Sequence, residues 1–227
     1  MLANKYKILH IVSNPFFLNR GGLIRNLEQV YGTLKMGHDV LVCSYSGGEN
    51  VDGIRIKRIP WVFWYKNTAG GAHDLHRLYL DLSLFFYSLY ILIKFRPDVI
   101  HTHGLTGVLS AKLFKLFFSK CVIIQDSEGS YADEIITSNN YKLIKSTIVM
   151  VERIIYNLTD GLTVCNEDMK KVLKERYKIS KPAVFLPEGL SPKIKRGRLS
   201  REELGIDNDK VIIGFAGQFH AHQRLDL

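Results

Sequence analysis

The sequence predicts an α/β protein in which helices cover both faces of a mostly parallel sheet, a three-layer arrangement. Three observations carry this expectation. Short, nearly unbroken apolar runs such as Ile8–Val12, Val40–Cys43 and Cys121–Ile124 read as strands covered on both faces. Between them lie stretches with helical spacing, such as Leu23, Leu27, Val30 and Leu34. The connections are long enough for the crossovers that parallel pairing needs.

Composition bounds the function classes. At 227 residues, with 46% hydrophobic and 23% charged side chains, the chain can bury a substantial core and is not extensively disordered. A net charge of +9 attracts anionic partners: phosphorylated ligands, an acidic membrane surface or nucleic acid. No recognised nucleic-acid motif is present, so no nucleic-acid partner is expected. The dinucleotide fingerprint and its downstream acid are also missing, which argues against a dehydrogenase. The three cysteines, Cys43, Cys121 and Cys165, are widely separated in apolar runs. They read as small buried hydrophobes in a reducing compartment, with neither a disulfide framework nor a metal site expected. Met1–Lys7 is polar and the apolar run after it short, so no signal peptide is evident and a cytoplasmic location is expected.

The elements follow in order. Lys7–Val12 is the opening strand, broken by Ser13-Asn14-Pro15; a loop leads to Gly21-Gly22, and Leu23–Lys35 is a helix. Gly37-His38-Asp39 turns into the strand Val40–Cys43. Ile54–Ile59 alternates strictly, as a more exposed edge strand does. Trp61–His73 reads as a loop. Leu75–Arg96 is a helix with a stripe at Leu75, Leu78, Leu82, Phe85, Leu89 and Leu92, widened by Tyr79, Phe86 and Ile93. Its longest charge-free run, Leu82–Ile93, is 12 residues, short of the ~20 that span a bilayer. The stripe is expected to pack on the sheet.

Pro97 ends that helix. Val99-Ile100 is a short buried strand, with His101-Thr102-His103-Gly104 at its carboxyl end. Ligands of open parallel sheets bind outside the carboxyl ends of the strands. His101, alternating with Ile100 toward a sheet face, reads as structural; His103, beyond the strand beside Gly104, reads as functional. Leu105–Phe118 is a helix and Cys121–Gln125 a strand followed by Asp126-Ser127-Glu128-Gly129-Ser130. Asp133–Asn140 reads as a mobile polar segment and Tyr141–Asn157 as a helix. Gly161–Cys165 is a strand, and Asn166 is a plausible N-cap for the helix Glu167–Tyr177. Ala183–Leu186 is a strand closed by Pro187-Glu188-Gly189.

Ser191–Arg198 is basic and poor in large apolar residues, so 191–210 reads as a linker. Within it, Ser200-Arg201-Glu202-Glu203 matches a capping box opening a helix of one or two turns. Val211–Gly217 begins a fresh strand, and 211–227 reads as the start of a second domain after a first domain over 1–190. One strand cannot bury its own faces, so a shortened form or one half of a two-domain protein is expected, with self-association a way to cover Val211–Ala216.

The glycine pair Gly21-Gly22 lets backbone amides approach an anion at a helix N-terminus. It faces the same crevice as His103, Glu128, Asn166 and Glu188, all at carboxyl ends of predicted strands. The order of motifs resembles family 4 of the retaining glycosyltransferases, whose GT-B fold joins two Rossmann-like domains. The matching pieces are Gly21-Gly22, Gly37-His38-Asp39-Val40 and Pro97–Gly104, then Asp160–Asn166, Leu186-Pro187-Glu188-Gly189-Leu190 and Ile213–Gly217. The resemblance implies a first domain that mainly binds the acceptor and a second that holds the nucleotide-sugar. It implies a glycine loop (Gly21, Gly22) against the donor diphosphate and His103 at the reaction centre. From their places at strand ends, Glu128, Asn166, Glu188 and Gly189 are the candidate cleft residues. Where the family carries Gly-Arg and Lys-Gly on the diphosphate, this sequence has Gly217-Gln218 and Gln223-Arg224. Neutral amides hydrogen-bond phosphate without offsetting its charge.

The expected function is transfer of a sugar from a nucleotide-sugar to a glycolipid or polysaccharide acceptor with retention, with no metal or further cofactor. Gln218 and Gln223 favour the alternative, a non-catalytic nucleotide- or phosphate-binding module. Peripheral membrane association is expected through Arg55, Lys57, Arg58, Trp61, Trp64, Tyr65 and Lys66, basic residues beside aromatics that suit the inner face of a membrane. Core packing of the tryptophans is the competing reading.

Overall fold

A computed structural model describes residues 4–16, 21–60, 74–130, 132–133, 145–187, 200–207 and 209–212. The elements run β1 (Lys7–Pro15), α1 (Gly21–Lys35), β2 (Asp39–Tyr45), β3 (Ile56–Arg58), α2 (Asp74–Phe95) and β4 (Val99–His103). They continue with α3 (Leu105–Phe117), β5 (Val122–Ser127), α4 (Lys145–Leu158), β6 (Gly161–Val164), α5 (Glu167–Glu175) and β7 (Ala183–Phe185). Among the described residues the strands form one seven-stranded sheet in the order β3-β2-β1-β4-β5-β6-β7. Every pairing in it is parallel. The sheet is Rossmann-like, as expected, and its order reverses between β1 and β4, which puts a crevice at their carboxyl ends.

Strand alternation sorts the core by face. Leu9, Ile11, Leu41, Cys43, Ile100 and Ile123 meet Leu80, Leu84, Ile91 and Leu92 of α2 and Ala111 and Phe114 of α3. On the other face Ile8, Val12, Val40 and Val42 meet Leu27 and Val30 of α1. Leu162 and Val164 pack under Tyr156 of α4 and Met169 and Leu173 of α5.

Four expectations are corrected. The glycine pair lies inside the first turn of α1 rather than in a loop before it. The fourth strand runs through His103, because Val12 and Asp126 on either side keep it in register, so His103 is a strand residue. The capping box forms both its hydrogen bonds, Glu203 N–H to Ser200 Oγ (3.2 Å) and Ser200 N–H to Glu203 Oε2 (2.6 Å), yet the residues it caps form a turn and not a helix. The largest correction concerns α2. Its core face is Leu80, Leu84, Ser88, Ile91 and Leu92, whereas Leu78, Leu82 and Phe86 from the expected stripe are exposed. The helix is apolar on more than one side, so periodicity alone does not define the buried face.

Cys43 and Cys121 are buried and Cys165 half-buried, and no disulfide joins any of the three. Half of the predicted linker, the Trp61–His73 loop, residues 134–144 and the second-domain strand beyond Ile212 lie outside the described residues.

Candidate active site

At the carboxyl ends of β1, β4 and β5 a crevice of about 220 Å³ opens, lined by Ser13, Asn26, His103, Asp126, Glu128 and Tyr156 among others. Gly104 forms one lip. Its φ is +124°, and an added Cβ would stand 2.5 Å from Ser13 Oγ, so the close approach of β1 and the β4 exit requires glycine.

The floor of the crevice is polar and buried. Register aligns Val12, His103, Asp126 and Thr163 in one row across four strands. His10 and His101 are paired to each other in a parallel row, one strand pleat below. All project on the side covered by α1, which answers with Arg25, Gln29 and Thr33 at i, i+4 and i+8. Arg25 donates twice to the Asp126 carboxylate, Nε to Oδ2 at 3.0 Å and Nη2 to Oδ1 at 2.8 Å. Gln29 Nε2 (2.8 Å) and Thr163 Oγ1 (2.6 Å) donate to the same carboxylate. A third Arg25 donor reaches Leu186 O at 2.7 Å, tying α1 to the end of β7. Burial by itself would raise the Asp126 pKa; the neighbouring His103 and the guanidinium of Arg25 outweigh it and hold the carboxyl well below the usual range. Asp126 is a buried carboxylate.

The histidines form a chain with a defined direction. Thr33 Oγ1 donates to Val30 O (2.8 Å), so it accepts from His10 Nε2 (3.2 Å). His10 then offers a bare Nδ1 to the Nε2–H of His103 at 3.0 Å. His103 therefore turns its Nδ1 toward Asp126 Oδ2, 3.7 Å away and too far for a hydrogen bond. Burial, reinforced by His101 and His103, lowers the His10 pKa well below its ordinary value; burial and His103 lower that of His101 to about 3. Both stay neutral.

One ring nitrogen from each of His10, His101 and His103 lies within 4.8 Å of the others, a donor set that could hold a cation. His10 already bonds Thr33 and His103, His101 Nε2 lies 3.5 Å from Thr163 Oγ1, and the adjacent carboxylate is matched by Arg25. A buried dication would find no compensating anion there, so the donor set fits a neutral hydrogen-bonded chain better.

Of the residues singled out from sequence, the structure brings His103, Glu128 and Gly22 together. An added Cβ at Gly22 would lie 2.7 Å from Glu128 Oε2, so the Glu128 carboxylate stands against the first turn of α1. Asn166 does not line the crevice: its Oδ1 accepts from Met169 N–H at 2.7 Å and caps α5. His101 joins the buried ring cluster, its centroid 4.6 Å from that of His103 and 5.1 Å from that of His10. Glu188, Gly189, Gln218, Gln223 and Arg224 fall outside the described residues. Sequence reasoning missed Arg25, Gln29, His10 and the anchoring role of Asp126. The available signals were the polar row Arg25, Gln29, Thr33 on a helix that also has an apolar face, and His10 alternating with Ile8 and Val12.

A parallel Rossmann-like sheet with a polar crevice at its switch point is the architecture of one half of a GT-B glycosyltransferase. The Glycosyltransferase Family 4 model matches residues 24–193, and the chain belongs to that family. Sucrose-phosphate synthase from Thermosynechococcus elongatus is similar with a TM-score of 0.62 and 13% identity, over 81% of this chain and 48% of that one. The catalytic domain of Starch Synthase IV from Arabidopsis thaliana, bound to ADP and acarbose, gives 0.57 and 12% over 82% of this chain and 52% of its own. At such identities the likeness is one of fold. The chain spans about half the length of these structures. No curated protein matches the sequence.

Proposed function

We propose that this chain is the acceptor-binding half of an enzyme that transfers a sugar from a nucleotide-sugar to a glycolipid or polysaccharide, with retention of configuration. The observation that carries the reading is the crevice, where the glycine-bearing start of α1, Glu128 and the His103–Asp126 pair converge at the strand ends of a Family 4 domain. In this scheme the donor is held by a second domain and its diphosphate approaches the amides of Gly21 and Gly22, where a helix N-terminus favours negative charge. His103, fixed by His10 on one side and facing Asp126 on the other, presents a preset ring at the floor of the site, and the reaction proceeds at the cytoplasmic face of a membrane.

In the full-length enzyme, His103→Ala is expected to reduce kcat by 10²-fold or more, on the order of what a positioned polar group contributes. Transfer at the wild-type rate would refute the assignment. The second reading, a non-catalytic phosphate-binding module, is favoured by Gln218 and Gln223, which stand where the family carries cations. Full-length protein that binds a nucleotide-sugar without releasing nucleotide would support it.

A further inference from the structure

The helices α2, α3 and α4 cover one face of the sheet with their inner sides, and their outer sides are apolar as well. On α2, Leu78, Leu82, Phe86 and Tyr90 follow one another every four residues, flanked by Tyr79 and Ile93, and each is between 49% and 65% exposed. On α3 the exposed row includes Leu116 and Phe117, 69% and 78% exposed; on α4 it includes Met150 and Ile154 at 54% and 53%. α3 packs against both neighbours, so the rows lie side by side. Soluble monomers do not normally leave that much contiguous apolar surface in water.

By length and composition the segment His76–Phe95 could cross a bilayer. It does not fit a crossing helix here, because Leu80, Leu84 and Leu92 are fully buried in the domain core. The apolar surface therefore meets its partner sideways, as an interfacial helix does.

We propose that this face is the seat of an anionic lipid bilayer, on which α2, α3 and α4 lie with their outer apolar rows in the interface. Charge selects this occupant. Among the described residues of the three helices, Lys94 and Arg153 are exposed, and Arg96 and Lys120 stand exposed just past the ends of α2 and α3. The acids are withdrawn: Asp81 holds Tyr45 Oη and Thr106 Oγ1, at 2.5 and 2.6 Å, and Glu152 is buried on Tyr177 Oη and Ala132 N–H. Two exposed acids lie just past the helices: Asp98 accepts from Lys7 N–H at 2.8 Å, and Asp160 is paired with Lys115 at 2.5 Å. Lys94, Arg96, Lys120 and Arg153 therefore leave the rim of the apolar field net positive, which fits a negatively charged leaflet, and the net charge of +9 acts in the same direction. This surface differs from the Arg55–Lys66 stretch singled out in the sequence.

The same helical layer borders the crevice. Arg77 and Asp81 of α2, Thr106 of α3, and Glu152 and Tyr156 of α4 all line it. A lipid-linked acceptor lying in the bilayer would reach His103 along this layer. That last step rests on the acceptor reading above; binding of the face to lipid does not.

The test is co-sedimentation with vesicles of phosphatidylcholine alone and of phosphatidylcholine with phosphatidylglycerol. Binding to the anionic vesicles is expected, and weaker binding to the neutral ones. Phe86→Gln with Phe117→Gln should weaken binding at least about tenfold, since each ring withdrawn from an apolar phase removes roughly that factor. Thermal melting should be unchanged, because both side chains are exposed. Lys94→Glu with Lys120→Glu should weaken binding to the anionic vesicles alone. Three outcomes overturn the proposal: no vesicle binding by the wild type, vesicle binding indifferent to both variant pairs, or a dimer in solution that the Phe86/Phe117 variant dissociates while lipid binding is absent. The last would assign the face to a second copy of the chain. Vesicle binding together with a full-length protein that transfers no sugar would leave the proposal standing and refute the catalytic reading instead.

Discussion

The two faces of the sheet are built on opposite principles. Beneath α1 the strands bury three imidazoles and a carboxylate; the Asp126 carboxylate takes donors from Arg25, Gln29 and Thr163, and His10 is linked to His103. Beneath α2 and α3 they bury mainly aliphatic and aromatic side chains, and polarity is confined to small satisfied pairs such as Ser88 Oγ to Ser110 Oγ at 2.8 Å. An apolar core tolerates loose specification, because dispersion and burial have no direction. A buried polar network does not, since each unpaired group carries its full desolvation cost. The α1 face is therefore where geometry is fixed, and it lies under the crevice. The opposite face supplies bulk stability, and its outer surface is the one proposed to meet a bilayer.

The sharpest way to break this contrast is to unbalance the network. Arg25→Ala leaves the Asp126 carboxylate, whose side chain has no exposure, without its cation. A loss of about 3–5 kcal/mol is expected, as when one partner of a buried ion pair is removed. Arg25→Met with Asp126→Leu should recover much of it. Urea denaturation measures both; a single-variant loss below about 1 kcal/mol would show that the pair is not sealed from water.

A second comparison lies within one helix. Leu84 is fully buried on the sheet and Leu82, two residues earlier, is 54% exposed. Leu84→Ala should cost about 2–5 kcal/mol and Leu82→Ala no more than about 0.5 kcal/mol. Equal losses would mean that the outer row of α2 is covered within the protein and not by a partner.

The histidines set a pH response that the apolar face lacks. His10 and His101 are held neutral in the folded state, whereas the unfolded chain protonates them near 6.5. Below about pH 6.5 the unfolded state binds more protons, so stability falls with pH by up to about 1.4 kcal/mol per unit for each histidine. For His101 the fall continues to about pH 3. Asp126 adds to it lower down: its depressed pKa contributes stability above about pH 4 that is lost as the pH drops further. Denaturation at pH 7 and pH 5 should show this slope, and His10→Asn should make it shallower. An unchanged slope in that variant would place the titration elsewhere.

How much of this the sequence discloses depends on what kind of signal each part leaves. Period-two and period-3.6 patterns, with Pro97 and Gly37 as punctuation, locate the described strands and helices because burial repeats along one element. The cap at Asn166 is legible for the same reason, being local. The α2 face is not, since a helix apolar on several sides has no single stripe to choose. Nor is the Asp126 network: Arg25 and Asp126 are 101 residues apart, and only strand register brings them together. Glu128 and His103 are legible because their places at strand ends follow from topology alone.

The smallest expected effect concerns the start of α1. That helix has no acidic residue in its own first turn, and Glu128, from the end of β5, stands in its place against Gly22. Glu128 is itself exposed, so a stronger anion can displace its carboxylate. A donor diphosphate seeking the Gly21 and Gly22 amides would have to compete with it. Glu128→Gln removes the competing charge while keeping the shape, and should strengthen binding of pyrophosphate or a nucleoside diphosphate by up to about fivefold, matching the ~0.3–1 kcal/mol of a charge at a helix end. The gain should shrink in high salt, because the site is open to solvent. Calorimetry on both proteins at two ionic strengths measures it. Unchanged affinity would show that the anion does not approach this helix end, and weaker binding would make Glu128 part of the grip rather than its rival.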